Sequence, residues 1–141
     1  MSNIYDSIKL GGPDSNAEYL GIFVAWLISN NLLSDNIRGP ASRECASVLM
    51  QDMTGQAFLT TVLHGELKPD HLTEAGRGFS EDYFMSGKYR EDYNASNLFG
   101  DDDWMDYDAV SPRITAAYRK YTQPEKGKFM AKILKFPSPR R

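Results

Sequence analysis

With 141 residues, 41% apolar and 25% charged, the chain has the make-up of one globular domain, which excludes a wholly disordered or fibrous protein. Its single cysteine, Cys45, excludes an internal disulfide framework and a cysteine-rich zinc centre. The net charge of −3 hides an uneven layout: residues 66 to 108 hold twelve acidic and four basic side chains, residues 122 to 141 six basic and one acidic.

In chain order, the first twelve residues read as an irregular lead-in that ends at Gly11-Gly12-Pro13 and has no apolar run of the secretory kind. Asp14, Ser15 or Asn16 can then accept hydrogen bonds from the free amides that open a helix, which is expected to run to about Asn31. Tyr19, Leu20, Ile22, Phe23, Val24, Trp26, Leu27 and Ile28 make that helix apolar nearly all round, so it should be the buried centre of the fold. Gly21 lets a neighbour come close, at about 1 kcal/mol of helix propensity. The apolar stretch of residues 19 to 33 is interrupted by Ser29, Asn30 and Asn31 and falls short of the roughly 20 residues that a bilayer requires. A reducing, cytoplasmic setting is expected.

"SDNIRGP" reads as a linker, with Pro40 tolerated at the first turn of a second helix. In that helix Cys45, Val48, Leu49 and Met53 recur at helical spacing. Cys45, among small and apolar neighbours, is expected to be a buried thiol and not a nucleophile. Thr54 caps a short third helix that turns Phe58, Leu59, Val62 and Leu63 inward and stops at Gly65. Leu72, Phe79, Tyr83, Phe84, Tyr89 and Tyr93 predict one further helix, broken near Ser86-Gly87. After an aspartate-rich loop, Ser111-Pro112 opens a last helix carrying Ile114, Ala117, Tyr118 and Tyr121 on one face. Beyond it, Phe129, Ile133 and Phe136 suit either an amphipathic turn or a short extended segment. The expected fold is all-α: a compact single-domain bundle of five or six helices over residues 1–121, followed by a basic C-terminal tail, 122–141.

"YDSIKLGG", "AEYLGIFVAWLISNNLL", "MTGQAFL", "LTEAGRGFSEDYF" and "DDWMDYDAVSPRITAAYRKY" follow one another over residues 4 to 121. Their order resembles a family of small, mostly helical bacterial proteins catalogued as a domain of unknown function. Members of that family resemble immunity proteins encoded beside toxins that bacteria deliver into rival cells. The resemblance implies that this chain binds and neutralises a cognate toxin. It does not extend to the basic tail.

The candidate sites are acidic. "LFGDDDWMDYDAV" gathers Asp101, Asp102, Asp103, Asp106 and Asp108 around Trp104 and Tyr107, a concentration of like charge that opposes compaction unless water, cations or a partner offsets it. Either Trp104 and Tyr107 fold back to anchor a solvated loop, with Asp108 as a helix cap, or the stretch is a partner-binding surface. In the second case the aspartates steer a basic target and Trp104 supplies contact area. Glu81, Asp82, Glu91 and Asp92, set among aromatics, read as a solvated helix face or an extension of that surface. An EF-hand started at Asp101 would need glycine where Asp106 stands and glutamate where Pro112 stands, so that calcium pattern fails. His64 and His71 are seven apart and lack the i, i+4 spacing of a zinc helix. "GRG" at 76 to 78 reads as close packing or a kink, not a phosphate cradle.

No catalytic residue, metal or cofactor is expected on this reading. The leading expectation is a non-enzymatic immunity protein. Its partner would be a protein toxin with a basic, nucleotide-binding or nucleic-acid-binding cleft, and neither a membrane nor nucleic acid would bind directly. Its contacts would be Asp101, Asp102, Asp103, Trp104, Asp106 and Tyr107, with Glu81, Asp82, Glu91 and Asp92 behind them. The alternative is a small enzyme, a metal-dependent hydrolase with an unrecognised acidic site.

Overall fold

The computed structural model describes residues 4–9, 15–96 and 103–122. Among these residues the chain forms seven α-helices and one two-stranded pairing, a mostly helical domain. The all-α expectation holds, with one more helix than foreseen. Asp14, Asp101, Asp102 and the basic tail from residue 123 lie outside the described residues. So does the segment around Phe129, Ile133 and Phe136.

Helix α1, Ala17–Ser29, is the core element: from Ala17 to Ile28 only Glu18 is not fully buried. Asn16 precedes it without capping it. Its Oδ1 accepts from the Lys9 amide at 2.6 Å, and its Nδ2 donates to the Ser7 carbonyl at 3.0 Å. Asn16 therefore ties down the N-terminal segment, which is more regular than the sequence suggests. β1, Asp6–Ser7, pairs antiparallel with β2, Glu66–Leu67. Two residues per strand are too few to leave an alternating pattern.

The expected linker contains a single helical turn, α2 (Asp35–Arg38), closed by an Arg38–Asp35 ion pair at 2.7 Å. Helix α3, Ser42–Leu49, buries Cys45 and Val48 but leaves Leu49 exposed, and Met53 packs from beyond its end. Thr54 caps α4, Gly55–Thr61, its hydroxyl accepting from the Ala57 amide at 3.0 Å. The turn after α4 passes through His64 (φ 58°) and Gly65 (φ 82°).

Helices α1 and α4 touch at backbone distance. A Cβ on Gly21 would stand 2.6 Å from the Gln56 nitrogen, and one on Gly55 would run into the Gly21 carbonyl. Only glycine at both positions permits this crossing.

Helix α5, Glu74–Phe79, is capped by Thr73 and runs straight into a π-helical turn, Ser80–Phe84, in which the Met85 amide bonds the Ser80 carbonyl at 3.0 Å. The wider turn sends Tyr83 and Phe84 into the core together while Glu81 and Asp82 stay exposed. Gly87 (φ 94°) breaks the chain before α6, Lys88–Ala95, as the sequence predicts for Ser86-Gly87. "GRG" is indeed close packing: Gly76 lies against the Leu32 carbonyl, and Gly78 leaves room for the Tyr121 hydroxyl.

The last helix differs most from expectation. α7 spans Asp103–Thr122 and carries Pro112 in its interior, on an exposed face. A proline there forfeits one backbone hydrogen bond and costs about 3 kcal/mol. The buried stripe Asp106, Val110, Ile114 continues across it at i, i+4 spacing, so packing on both sides holds one continuous helix. The core between α1, α5, α6 and α7 is aromatic. Phe79 and Tyr83 stack at 5.0 Å, Trp26 meets Phe79 at 5.3 Å, and the Trp26 indole donates to the Thr115 hydroxyl at 3.0 Å. No helix among the described residues is long and apolar enough to cross a membrane.

Candidate functional site: a charged cleft between α6 and α7

The aspartate-rich stretch is not a loop from Asp103 onward. It forms the first turns of α7. Trp104 and Tyr107 are half-buried, meet edge to face at 5.3 Å and pack against the core. The Tyr107 hydroxyl donates to Ser29 Oγ at 3.3 Å, and burial raises its pKa. These two rings anchor the helix. Asp106 is 0% exposed, which corrects its assignment as a surface contact: it occupies the inward i, i+4 stripe. Asp108 sits inside the helix, not at its cap.

The second acidic set separates in space. Glu81 accepts a hydrogen bond from the Tyr5 hydroxyl at 3.1 Å, so it fastens the N-terminal strand segment; burial and the Glu81 carboxylate together push the Tyr5 hydroxyl well above its ordinary pKa. Asp82, Glu91 and Asp92 line an open cleft of about 730 Å³ between α6 and α7. Asp82 faces Lys88 at 3.8 Å, while Asp92 accepts from the Tyr83 hydroxyl at 2.5 Å. Burial first, then the Asp92 carboxylate, raises the Tyr83 pKa, so that hydroxyl stays a donor. Trp104 and Tyr107 line a different hollow, beside Gly21 and Gly55.

The opposite wall of the cleft was not foreseen. Arg113, Ala116, Ala117, Lys120 and Tyr121 of α7 supply it. Arg113 and Lys120 are seven residues apart and so share a helix face, the one signal in the sequence that could have shown them together. None of the ion pairs among the described residues joins this wall to the carboxylates of α6. The cleft thus offers separated charges of both signs over an aromatic and alanine floor.

Other chemistry-bearing residues stand apart. Cys45 is buried, and desolvation raises its thiol pKa. His71 is half-buried, with Nδ1 accepting from the Lys68 amide at 3.1 Å; burial and Lys68 lower its pKa, which keeps the ring neutral. No group of three His, Cys, Asp or Glu side chains among the described residues could hold a metal ion.

Residues 11–109 match a family described as a domain of unknown function, DUF7832. The match takes in α1 to α6, including the acidic wall of the cleft, and the first turns of α7. No curated protein and no solved structure matches the chain. Because the match covers more than half its length, the chain belongs to the DUF7832 family.

Proposed function

We propose that this chain is an immunity protein that binds a cognate bacterial toxin and covers its active or substrate-binding site. The observation that supports this reading is the α6–α7 cleft. There Glu91 and Asp92 stand on an open surface beside the Tyr83 ring and no ion pair among the described residues uses them. Such carboxylates attract a basic partner on approach, and a toxin that handles nucleotides or nucleic acid carries a basic cleft for their phosphates. The setting is the cytoplasm, where a delivered toxin would act. The enzyme alternative calls for carboxylates converging on one ion at about 2.0–2.6 Å. Asp82 and Asp92 are turned instead to Lys88 and the Tyr83 hydroxyl.

The test is co-purification with the product of the adjacent gene, followed by titration of variants. Glu91→Lys with Asp92→Lys should weaken that complex at least about 100-fold, the effect of two charge reversals in one interface. Replacing Asp101, Asp102 and Asp103 with asparagine measures the contribution of the aspartate-rich stretch of the sequence. A cell fully protected from the toxin by the protein carrying all five substitutions would defeat the proposal.

A further inference from the structure

We infer that His71 is a pH-sensitive latch: a proton on its ring loosens the pairing of the N-terminal segment, residues 4–9, with β2. The inference stands apart from the toxin reading, because neither His71 nor the segment lines the α6–α7 cleft.

The geometry fixes the state of the ring. His71 Nδ1 faces the Lys68 backbone amide at 3.1 Å. A backbone amide only donates, so Nδ1 is the acceptor and carries no hydrogen. The hydrogen of the neutral ring therefore sits on Nε2. A protonated ring carries hydrogens on both nitrogens and would set one donor against another. Protonation and this bond exclude each other.

One peptide group carries the change to the N-terminal segment. The Lys68 amide and the Leu67 carbonyl are the two ends of one planar unit, and that carbonyl accepts from the Tyr5 amide at 2.7 Å. When the ring takes a proton, the plane turns and swings its carbonyl away from Tyr5, or the ring leaves and the plane loses its anchor. Both weaken the Tyr5–Leu67 bond. The Tyr5 hydroxyl on Glu81, and Asn16 on Lys9 and Ser7, hold the segment elsewhere, so the pairing opens while the segment stays tethered.

The surroundings of the ring set the direction. Burial and Lys68 lower its pKa most; Asp70 and Glu66 raise it, His64 lowers it, and the net shift is downward. Loop 32–34, bonded to the His71 carbonyl through the Ser34 amide at 2.8 Å, has no titratable side chain. Arg77 of α5 donates to the neighbouring Leu72 carbonyl at 3.0 Å. The latch is therefore complete above the ordinary value of 6.5 and opens as pH falls through the lowered one.

The test is amide exchange of the full-length chain at pH 7.5 and pH 5.0, expressed as protection relative to an unstructured peptide. Protection at Tyr5 and Lys68 should fall at least about threefold more than at Phe23 and Trp26 of α1, which report unfolding of the whole domain. In His71→Asn, whose Oδ1 offers an acceptor close to the position of Nδ1 and takes up no proton, the extra fall should vanish. Equal changes at Tyr5 and in α1 of the native chain would overturn the inference. So would an extra fall that persists in the variant, because His64 or a carboxylate would then be the titrating group. If the variant does not fold, the native chain decides. Cross-peaks between Asp6 and Leu67 protons should lose intensity with the same midpoint as the His71 ring signals, and a different midpoint would overturn the inference.

Discussion

Helices α1 and α4 meet through Gly21 and Gly55, while α6 and α7 face each other across Ala116 and Ala117. Both junctions use small residues, yet one closes to backbone contact and the other stays open. The difference lies in what flanks them. Gly21 sits among apolar side chains that gain about 25 cal/mol for every Å² removed from water, so closing the gap is favourable. Ala116 and Ala117 sit between Arg113 and Lys120, opposite Glu91 and Asp92. Closing that gap would dehydrate four charges, whose desolvation costs several kcal/mol each and is recovered only with ideal pairing geometry. Small residues permit approach. Their neighbours decide whether it happens.

The contrast can be broken at either junction. Gly55→Ala should have the largest effect: an alanine in a helix normally gains about 1 kcal/mol, but here its Cβ meets the Gly21 carbonyl, and overpacking of this kind costs about 2–3 kcal/mol. Urea denaturation would register the loss as a lower midpoint, whereas a stabilised variant would show that the crossing is loose. Thr54→Ala, at the cap that starts α4 beside the same crossing, should cost about 1 kcal/mol, read from the thermal midpoint.

Two smaller effects sharpen the comparison. His71 has a lowered pKa in the folded state, so the unfolded chain binds its proton more readily. Its contribution is complete above the ordinary value of 6.5 and is lost as pH falls below it, so stability should decline toward pH 5. His71→Gln should flatten that decline, and parallel urea curves for the two proteins at each pH would refute the assignment. Last, Ala116→Leu in the open cleft should change stability by no more than about 0.5 kcal/mol, the range for exposed positions away from packed contacts. A loss comparable to that of Gly55→Ala would mean that the α6–α7 junction is closed, and the comparison would fail.

The sequence announces what is local and strongly patterned. α1 is legible because it is apolar all round, α4 because Thr54 precedes it, and the break at Gly87 because glycine tolerates φ 94°. The first half of α7 is hidden by its own chemistry, since aspartates and a proline argue for a loop while the 106, 110, 114 stripe argues for a buried helix. Charge makes Asp106 look like surface; only that spacing says otherwise. The cleft is hidden for another reason. Glu91 and Arg113 are twenty-two residues apart, and their approach depends on how α6 and α7 pack, which no short window contains.

The π turn at Ser80–Phe84 amounts to one residue more than a regular helix would spend there. It follows that the length of this stretch is itself under constraint, independent of residue identity. Deleting a single codon between Phe79 and Tyr83 would restore ordinary helical pitch, in which adjacent side chains stand about 100° apart, and Tyr83 and Phe84 would no longer enter the core together.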